Sequence, residues 1–347
     1  MDLIFNSIAY TYFLSRLKSL IVQKINWGII GCGDVTEVKS GPAFYKIENS
    51  CLKAVMRRDA AKAKDYAERH GVEKWYNDAQ ALINDEEINA IYIATPPSFH
   101  EEYAMAAIKA GKPVYVEKPM TLNAGSAIRM QQFAEHQNVK LVVAHYRRAL
   151  PYFIKIKALL DEGAIGEVRF ARLLFCTTSL KEEALVNPKI AWRVDPAIAG
   201  GGLFHDLSPH QLDIMYHYFG PIAAVNGFAV NQQKLTAADD IVSGNILFES
   251  GVLFNGLWCF NAAPGEEQDY CEIIGSKGKI KFGFFGSREI VLSVDGRDEK
   301  FLIEPPAHIQ QPMIEKVVDY FLDKCDNPCS AEDGANIMHI MDQFCAK

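Results

Sequence analysis

The sequence contains no Cys-x-x-Cys pair, no basic tract, no internal repeat and no low-complexity segment. Its eight cysteines are scattered, mostly within apolar runs, which is typical of reduced thiols in a cytoplasmic protein. The formal net charge is −7 and both signs are interspersed, unlike the basic face of a typical nucleic-acid-binding protein. These absences argue against a disulfide-stapled secreted domain and against a nucleic-acid partner.

Long unbroken apolar runs are also missing. A helix that crosses a membrane needs about 20 predominantly apolar residues in a row. Residues 1–24 are rich in apolar side chains, but polar and basic residues such as Asn6 and Arg16 interrupt them. Asp2 also stands where a signal peptide carries positive charge. We expect an amphipathic extension that adds no chemistry and does not insert stably into a membrane. The alternatives are weak binding to a membrane surface and translation from upstream of a later natural start.

The chain is long enough for two domains. It has 347 residues, of which 49% are apolar and 23% charged. From residue 25, short apolar runs alternate with segments of helical spacing, and Asp59 and Gly71 stand at the N-cap and the end of one such segment. This alternation predicts an α/β fold with an N-terminal Rossmann domain, a doubly wound parallel sheet, over residues 25–146. The expected strands are 25–30, 51–56, 89–94, 112–116 and 139–144, and the expected helices 59–70, 101–110 and 126–137.

Residues 147–347 have a different pattern of apolar residues and turns. Strands with alternating apolar residues follow one another through short turns at 249–251 and 275–278. This pattern predicts a C-terminal α+β domain with a mostly antiparallel sheet and helices on one face. The expected strands are 168–176, 222–230, 241–248, 252–260, 270–274 and 279–285, and the expected helices are 152–162 and a region beyond 312.

A glycine-rich turn follows the first strand. Gly31 and Gly33 allow a tight turn and a close approach to a pyrophosphate, while a helix N-terminus supplies free N–H groups. The third glycine of the usual pattern is Thr36, a departure at a position of close packing. The sequence therefore predicts a dinucleotide site. The residues of this loop are Gly31, Cys32, Gly33, Asp34 and Val35.

The end of the second strand bears on the choice between NADP and NAD. An acid there would bond the ribose 2′-hydroxyl of NAD, but the strand ends in Arg57 and Arg58. Guanidinium groups suit a 2′-phosphate, so we expect NADP(H) to be preferred, with NAD(H) as the alternative. In that alternative the two arginines are solvated and Asp59 only caps a helix.

Three further residues form a candidate catalytic set. Lys118 follows a parallel strand, where such folds bind ligands, and Asp206 and His210 are four residues apart. If a helix begins near Asp206, both side chains share one face. Hydride transfer from an alcohol carbon needs a cation near the oxygen and a group that titrates near neutrality. A zinc site is disfavoured, because His205 and His210 would lie on different faces of the helix.

These motifs resemble those of the Gfo/Idh/MocA family, named for glucose–fructose oxidoreductase and inositol dehydrogenase. The resemblance spans about residues 25–345 and leaves the first 24 unexplained. The matching stretches are 27–33, 94–97 with His100, 110–119 with Glu117-Lys118-Pro119, 192–196, 199–206 with His210, and 272–278.

The resemblance implies an NAD(P)-dependent enzyme acting on CH–OH groups of a sugar, polyol or keto-sugar. It implies that Lys118 contacts the reacting oxygen, that His210 is the acid/base and that Asp206 assists. It also implies a homodimer or homotetramer. The residues it assigns to the cofactor groove are Thr95, Pro96, His100, Glu117, Lys118 and Arg193. His205, just before the catalytic aspartate, is a departure with either a pocket or a packing role.

Two other functions stay open at this point. One is a sensor of NADP or sugar without chemistry, although such relatives can lose the catalytic residues and all three are present here. The other is a dehydrogenase of a non-sugar diol, which residues of the second domain would decide.

Overall fold

Five of the six strands of the first sheet are built mainly from residues buried on both faces, as a sheet covered by helices on both sides requires. The computed structural model describes residues 23–346, so the prediction for residues 1–24 lies, apart from the last two, outside the described residues. The strands are parallel, in the order β3-β2-β1-β4-β5-β6. They are β1 (Ile25–Ile30), β2 (Ser50–Met56), β3 (Lys74–Tyr76), β4 (Ala90–Ile93), β5 (Val114–Val116) and β6 (Leu141–Val143).

Helices connect these strands, and local signals in the sequence fix their ends. The Asp59 side chain accepts a hydrogen bond from the Lys62 N–H at the start of α3, and Gly71 ends that helix with φ of 64°. The predicted N-cap and stop are therefore confirmed. The helices of this part are α1 (Asp34–Val38), α2 (Ala43–Lys46), α3 (Ala60–His70), α4 (Ala79–Asn84), α5 (His100–Lys109) and α6 (Ala124–Gln137).

The second sheet has eight strands, all antiparallel to their neighbours except the pair β7 and β10. Its order is β14-β13-β12-β11-β7-β10-β9-β8. The strands are β7 (Val168–Thr178), β8 (Ile222–Val230), β9 (Ile241–Phe248), β10 (Leu253–Ala262), β11 (Gln268–Gly275), β12 (Gly278–Phe282), β13 (Glu289–Val294) and β14 (Arg297–Leu302). The fold class predicted from the sequence is confirmed, while the division of the chain after residue 146 stays a prediction.

Among residues 23–346, eight further α-helices follow α6 in the chain. They are α7 (Pro151–Asp161), α8 (Glu182–Leu185), α9 (Pro188–Ala191), α10 (Pro196–Ala199), α11 (Gly202–Leu207), α12 (Pro209–Phe219), α13 (Gln311–Phe321) and α14 (Ala331–Phe344). Helix α14 packs closely on the sheet because Gly227 and Gly244 leave room for Phe344; a Cβ on Gly244 would lie 2.3 Å from its ring. No helix among residues 23–346 is long and apolar enough to span a bilayer.

Several short elements were absent from the sequence-based expectation, among them the helices α2, α8, α9 and α10. β3 was not predicted, since a three-residue edge strand shows no period, and the six-residue helix α4 was not predicted either. β13 and β14 were also missed, and the predicted strand 279–285 ends at Phe282. β14 lies at the edge of its sheet with nearly every residue exposed, so it lacks the alternation that marks a strand.

Candidate active site

The glycine loop joins β1 to a short helix, α1. Gly31 has φ of +95°, and a Cβ there would lie 2.8 Å from both the Thr95 side chain and its backbone nitrogen. Around Gly33 the space is open, because a Cβ would meet nothing closer than the Gly31 carbonyl oxygen at 3.8 Å. Gly31 therefore permits the close packing of two strand ends, and Gly33 leaves its backbone accessible to a ligand.

Thr36 and Gly41 explain how the loop tolerates the missing third glycine. The Thr36 side chain is fully buried, and its hydroxyl donates to the Gly33 carbonyl oxygen at 2.8 Å. The Tyr66 hydroxyl donates to the Thr36 carbonyl oxygen at 2.7 Å. A Cβ on Gly41 would lie 2.1 Å from that same oxygen, so the closest packing falls at Gly41.

Cys32 and Arg57 meet beneath the loop. The Cys32 side chain is 1% exposed, and burial raises the pKa of its thiol to about 11, so it stays protonated. Its carbonyl oxygen accepts a hydrogen bond of 3.3 Å from Arg57 Nη1. Asp34 and Val35 begin α1. The loop thus offers backbone groups, with one arginine beside it.

Arg58 and Asp59 complete the end of β2. The Arg58 guanidinium carbon lies 4.7 Å from the centre of the Phe99 ring, a cation–π contact. Asp59 caps α3, so its carboxylate is engaged with the backbone. The end of β2 therefore presents two guanidinium groups, and its nearest acid serves a helix.

His100 ties the ends of β4 and β5 together. Its ring is fully buried, with Nε2 2.8 Å from the Thr95 carbonyl oxygen and Nδ1 3.0 Å from the Pro119 carbonyl oxygen. Burial lowers the pKa of His100. Pro96 precedes a short 3₁₀ helix, Pro97–Phe99, at the same place. The contacts of the His100 side chain are with backbone, and a direct contact with a cofactor stays a prediction.

Glu117 is likewise held inside the protein, at 6% exposure. Its carboxylate accepts hydrogen bonds from the Tyr92 hydroxyl at 2.6 Å, from Gln310 Nε2 at 2.8 Å and from the Lys118 N–H at 3.2 Å. These three donors fix the chain at the end of β5. They thereby fix the backbone from which the Lys118 side chain extends.

The Lys118 side chain crosses from the first sheet to the helices of the second half. Its Nζ donates to the Asp206 carbonyl oxygen at 2.7 Å and to Asp206 Oδ1 at 3.0 Å. The other carboxylate oxygen of Asp206 lies 3.2 Å from Arg193 Nε. Burial alone would raise the pKa of Asp206, but Lys118 and Arg193 outweigh it and leave this pKa below its usual value. Asp206 is therefore an ionised carboxylate between two cations.

His210 lies close to this group, in the second residue of α12. It is 6% exposed, and its Nδ1 is buried without a hydrogen-bond partner in the described part of the chain. Burial lowers its pKa well below the usual value, and the positive charges of Lys118 and Arg147 lower it further. The imidazole is therefore neutral at neutral pH and able to accept a proton.

The prediction of one helix carrying both Asp206 and His210 is wrong. Helix α11 ends at Leu207 and a second helix, α12, begins at Pro209, because proline lacks the N–H that would continue the first helix. Asp206 thus reaches Lys118 from the last turn of one helix, and His210 projects from the first turn of the next. Both residues still lie near Lys118, whose charge acts on each.

His205 packs away from these residues. A Cβ on Gly201 would lie 2.1 Å from its ring, and burial lowers its pKa to about 4. It borders a cavity whose lining includes neither Lys118 nor His210. Of its two expected roles, the packing role agrees with these contacts. Within residues 23–346, no three His, Cys, Asp or Glu side chains are grouped closely enough to hold a metal ion.

The sequence-based reasoning missed several residues of this region. His145, Tyr146 and Arg147 follow β6, and Phe285 follows β12. The Tyr146 ring centre lies 5.2 Å and the Phe285 ring centre 5.8 Å from that of His210. The rule that ligands bind at the carboxyl ends of parallel strands applies to β6 as well as to β5, and would have pointed to residues 145–147.

A parallel sheet with a glycine loop at its carboxyl edge, and a lysine, an aspartate and a neutral histidine beside that edge, defines the class of nicotinamide-dependent oxidoreductases. Residues 25–145 match the family model described as oxidoreductase family, NAD-binding Rossmann fold, and residues 153–281 match the GFO/IDH/MocA C-terminal domain. The chain belongs to the GFO/IDH/MocA family of oxidoreductases.

Relatives and solved structures agree with this assignment. Oxidoreductase P35 of Formosa agariphila is 50% identical over 323 residues, covering 93% of this chain and 99% of that protein. Levoglucosan dehydrogenase of Pseudarthrobacter phenanthrenivorans is 30% identical over 323 residues, covering 83% and 82%. A levoglucosan dehydrogenase structure with NADH and levoglucosan superposes with a TM-score of 0.79 at 23% identity, covering 93% and 96%.

Proposed function

We propose that this protein transfers a hydride between a nicotinamide cofactor and a CH–OH group of a sugar, a polyol or the corresponding keto form. The observation that carries the proposal is the joining of Lys118, Asp206 and Arg193 beside a buried, neutral His210. A relative in the family, levoglucosan dehydrogenase, is named for an anhydrosugar. Lys118 supplies the cation that such a reaction needs, and the neutral His210 imidazole supplies a proton acceptor, although its pKa lies below the near-neutral value expected from the sequence.

The residues at the edge of the first sheet fit a dinucleotide. The space around Gly33 is open, so a ligand can reach its backbone. Arg57 lies next to the loop, because its guanidinium donates a hydrogen bond to the Cys32 carbonyl oxygen. When bound there, the nicotinamide would accept or deliver the hydride. We propose that Gly31 to Val35 hold the pyrophosphate, that Thr95, Pro96 and Glu117 shape the nicotinamide end, and that His100 supports them.

In the oxidation direction, the neutral His210 imidazole takes the proton of the substrate hydroxyl. Lys118 stabilises the negative charge that develops on the oxygen, and Asp206 keeps the ammonium group aimed at that position. In the reduction direction, the same imidazole returns the proton. Arg193 orients the Asp206 carboxylate from the opposite side.

The test is turnover on a panel of sugars, polyols and cyclic diols with Lys118→Met and His210→Ala. We expect both variants to lose at least about 100-fold in kcat while remaining folded. The matched controls are Lys109→Met and His136→Ala, which replace exposed side chains. Near-normal turnover in both active-site variants would refute these roles. Tight cofactor binding without turnover on any member of the panel would favour the sensor function, and turnover on cyclic diols alone would favour the diol dehydrogenase.

We further propose NADP(H) as the preferred cofactor, because the end of β2 carries two arginines and its acid caps a helix. Arg57→Ala should raise the Kd of NADPH at least about tenfold, the loss expected for a hydrogen bond to a charged group. The Kd of NADH should change little, as should both constants in the exposed Arg288→Ala control. If wild-type protein binds NADH more tightly, the cofactor is NAD and the arginine pair is a solvated turn.

We propose that the protein forms an oligomer, because one face of the second sheet exposes large apolar side chains. Phe228 is 79% and Leu253 48% exposed, which is unusual for such large apolar side chains. Leu253 is paired in register with both Phe170 and Leu247 on the neighbouring strands. A second copy of the chain would bury this apolar surface in a homodimer or homotetramer.

A further inference from the structure

Arg147 is a buried cation without a hydrogen-bond or ion-pair partner in the described part of the chain. It is 6% exposed, and its Nε is buried with no hydrogen-bond acceptor. Within residues 23–346 its guanidinium makes no ion pair, whereas the adjacent Arg148 binds Asp213 and Asp333. Burial lowers the pKa of Arg147, as expected for a charge removed from water.

Aromatic rings hold this guanidinium next to His210. Its central carbon lies 4.7 Å from the centre of the Phe285 ring and 5.5 Å from that of Tyr146. The same two rings contact the His210 imidazole, at 5.8 Å and 5.2 Å between ring centres. Arg147 and the proposed acid/base, His210, therefore contact the same two aromatic rings.

Nearby carboxylates do not neutralise Arg147. The charge of Asp269 acts on Arg147, but the two side chains lie beyond ion-pair distance. The Asp269 carboxylate oxygens accept hydrogen bonds from the N–H groups of Phe284 and Phe285. Asp206 is held between Lys118 and Arg193. A buried charge without a counterion is destabilising, and an anion bound beside it would offset that cost.

The strand order places Arg147 on the substrate side. At the carboxyl edge of the first sheet, the ends of β2, β1, β4 and β5 carry Arg57, the glycine loop, Thr95 and Lys118, in that spatial order. β6 is the next strand, and Arg147 follows it. If the cofactor extends from Arg57 toward Lys118, Arg147 lies beyond it, one strand past the proposed reacting centre.

We propose that the substrate carries a carboxylate, as an acid sugar or polyol acid does, and that Arg147 binds this group. The inference rests on the proposed hydride transfer and specifies its substrate class. A single planar guanidinium matches a carboxylate with two parallel hydrogen bonds. A phosphate ester, with nearly twice the charge, would require more cations than this one position supplies.

The test compares hexuronates with the aldohexoses of the same configuration, in several configurations, and includes hexose phosphates. We expect kcat/KM to favour the hexuronate at least about 30-fold, the lower bound for a buried charge pair. In Arg147→Met this ratio should fall close to one, mainly through a higher KM for the acid. The exposed Arg129→Met should keep the wild-type ratio. Equal or better use of the neutral hexoses, or of the phosphates, would overturn the assignment.

A binding measurement separates this inference from the proposed function. Hexuronate, without cofactor, should raise the Tm of wild-type protein and leave that of Arg147→Met unchanged. The variant alone should melt no lower than wild type, because it loses an unpaired buried charge. A lower Tm for the variant together with no shift by any hexuronate in wild type would show a structural arginine and overturn the inference. If the shift occurs but no substrate is turned over with either cofactor, the proposed hydride transfer fails and the carboxylate site stands.

Discussion

The buried ion pair between Arg148 and Asp213 should make Arg148→Met one of the most damaging single substitutions outside the catalytic set. Arg148 Nη2 and Nε lie 2.7 Å and 3.0 Å from Asp213 Oδ1, and Asp213 is fully buried. Nη1 donates to Asp333 at 2.9 Å, and Asp333 also belongs to the capping box at the start of α14. One arginine thus joins the segment after β6 to helices α12 and α14.

The size of the effect follows from what the substitution leaves behind. Methionine fills much of the volume but donates no hydrogen bond, and His145 Nδ1, at 3.8 Å from Asp213 Oδ1, is too distant to replace the arginine. Removing one partner of a buried ion pair costs about 3–5 kcal/mol, because the other charge stays buried and unpaired. At roughly 2 °C per kcal/mol for a domain of this size, the Tm should fall by about 6–10 °C.

Differential scanning calorimetry and circular dichroism at pH 7.5 would measure this fall. The control Arg129→Met breaks an exposed pair with Glu101 and should cost at most about 1 kcal/mol. The double variant Arg148→Met/Asp213→Leu should recover much of the loss, since an apolar pair of similar volume replaces the ions. A single variant that melts together with wild type would show that the Arg148 pair contributes nothing and that the reasoning is wrong.

Three further predictions concern pH, the glycine loop and the open sheet face. Five histidines have a pKa lowered by burial, so as the pH falls below about 6.5 the unfolded state binds protons that the folded state does not. The free energy of unfolding then drops by up to about 1.4 kcal/mol per pH unit for each histidine. A Tm that is equal at pH 7.5 and 5.5 would contradict this. These five are His100, His145, His205, His210 and His217. Gly31→Ala should weaken NADPH binding, measured by fluorescence titration, at least tenfold. The reason is that a φ of +95° costs an alanine about 1–2 kcal/mol and that its Cβ would displace Thr95. Unchanged binding would mean that the loop is not the cofactor site. Phe228→Asp should shift the protein toward monomer in light scattering, and an unchanged mass would place any interface elsewhere.

Much of the fold could be predicted because its signals are local. The helix from Ala60 to His70 was found from its cap and its terminal glycine, and the parallel strands from their apolar runs. β14 could not be found, because its residues are nearly all exposed and, among the described residues, β13 is its single neighbouring strand. The break between α11 and α12 required the tertiary structure, since proline is equally acceptable in the first turn of one longer helix.

By itself, the sequence determined which residue types stand at the ends of the parallel strands. The glycine loop, Arg57, Thr95 and Lys118 each follow a predicted strand, and carboxyl ends of parallel strands share one edge. Only the tertiary structure decided the charge state and partners of these groups. Arg147 and Arg148 are identical in type and adjacent in the chain. Within residues 23–346, Arg147 makes no ion pair and contacts aromatic rings, whereas Arg148 pairs with Asp213. Burial and partners come from residues distant in sequence, and no local pattern specifies them.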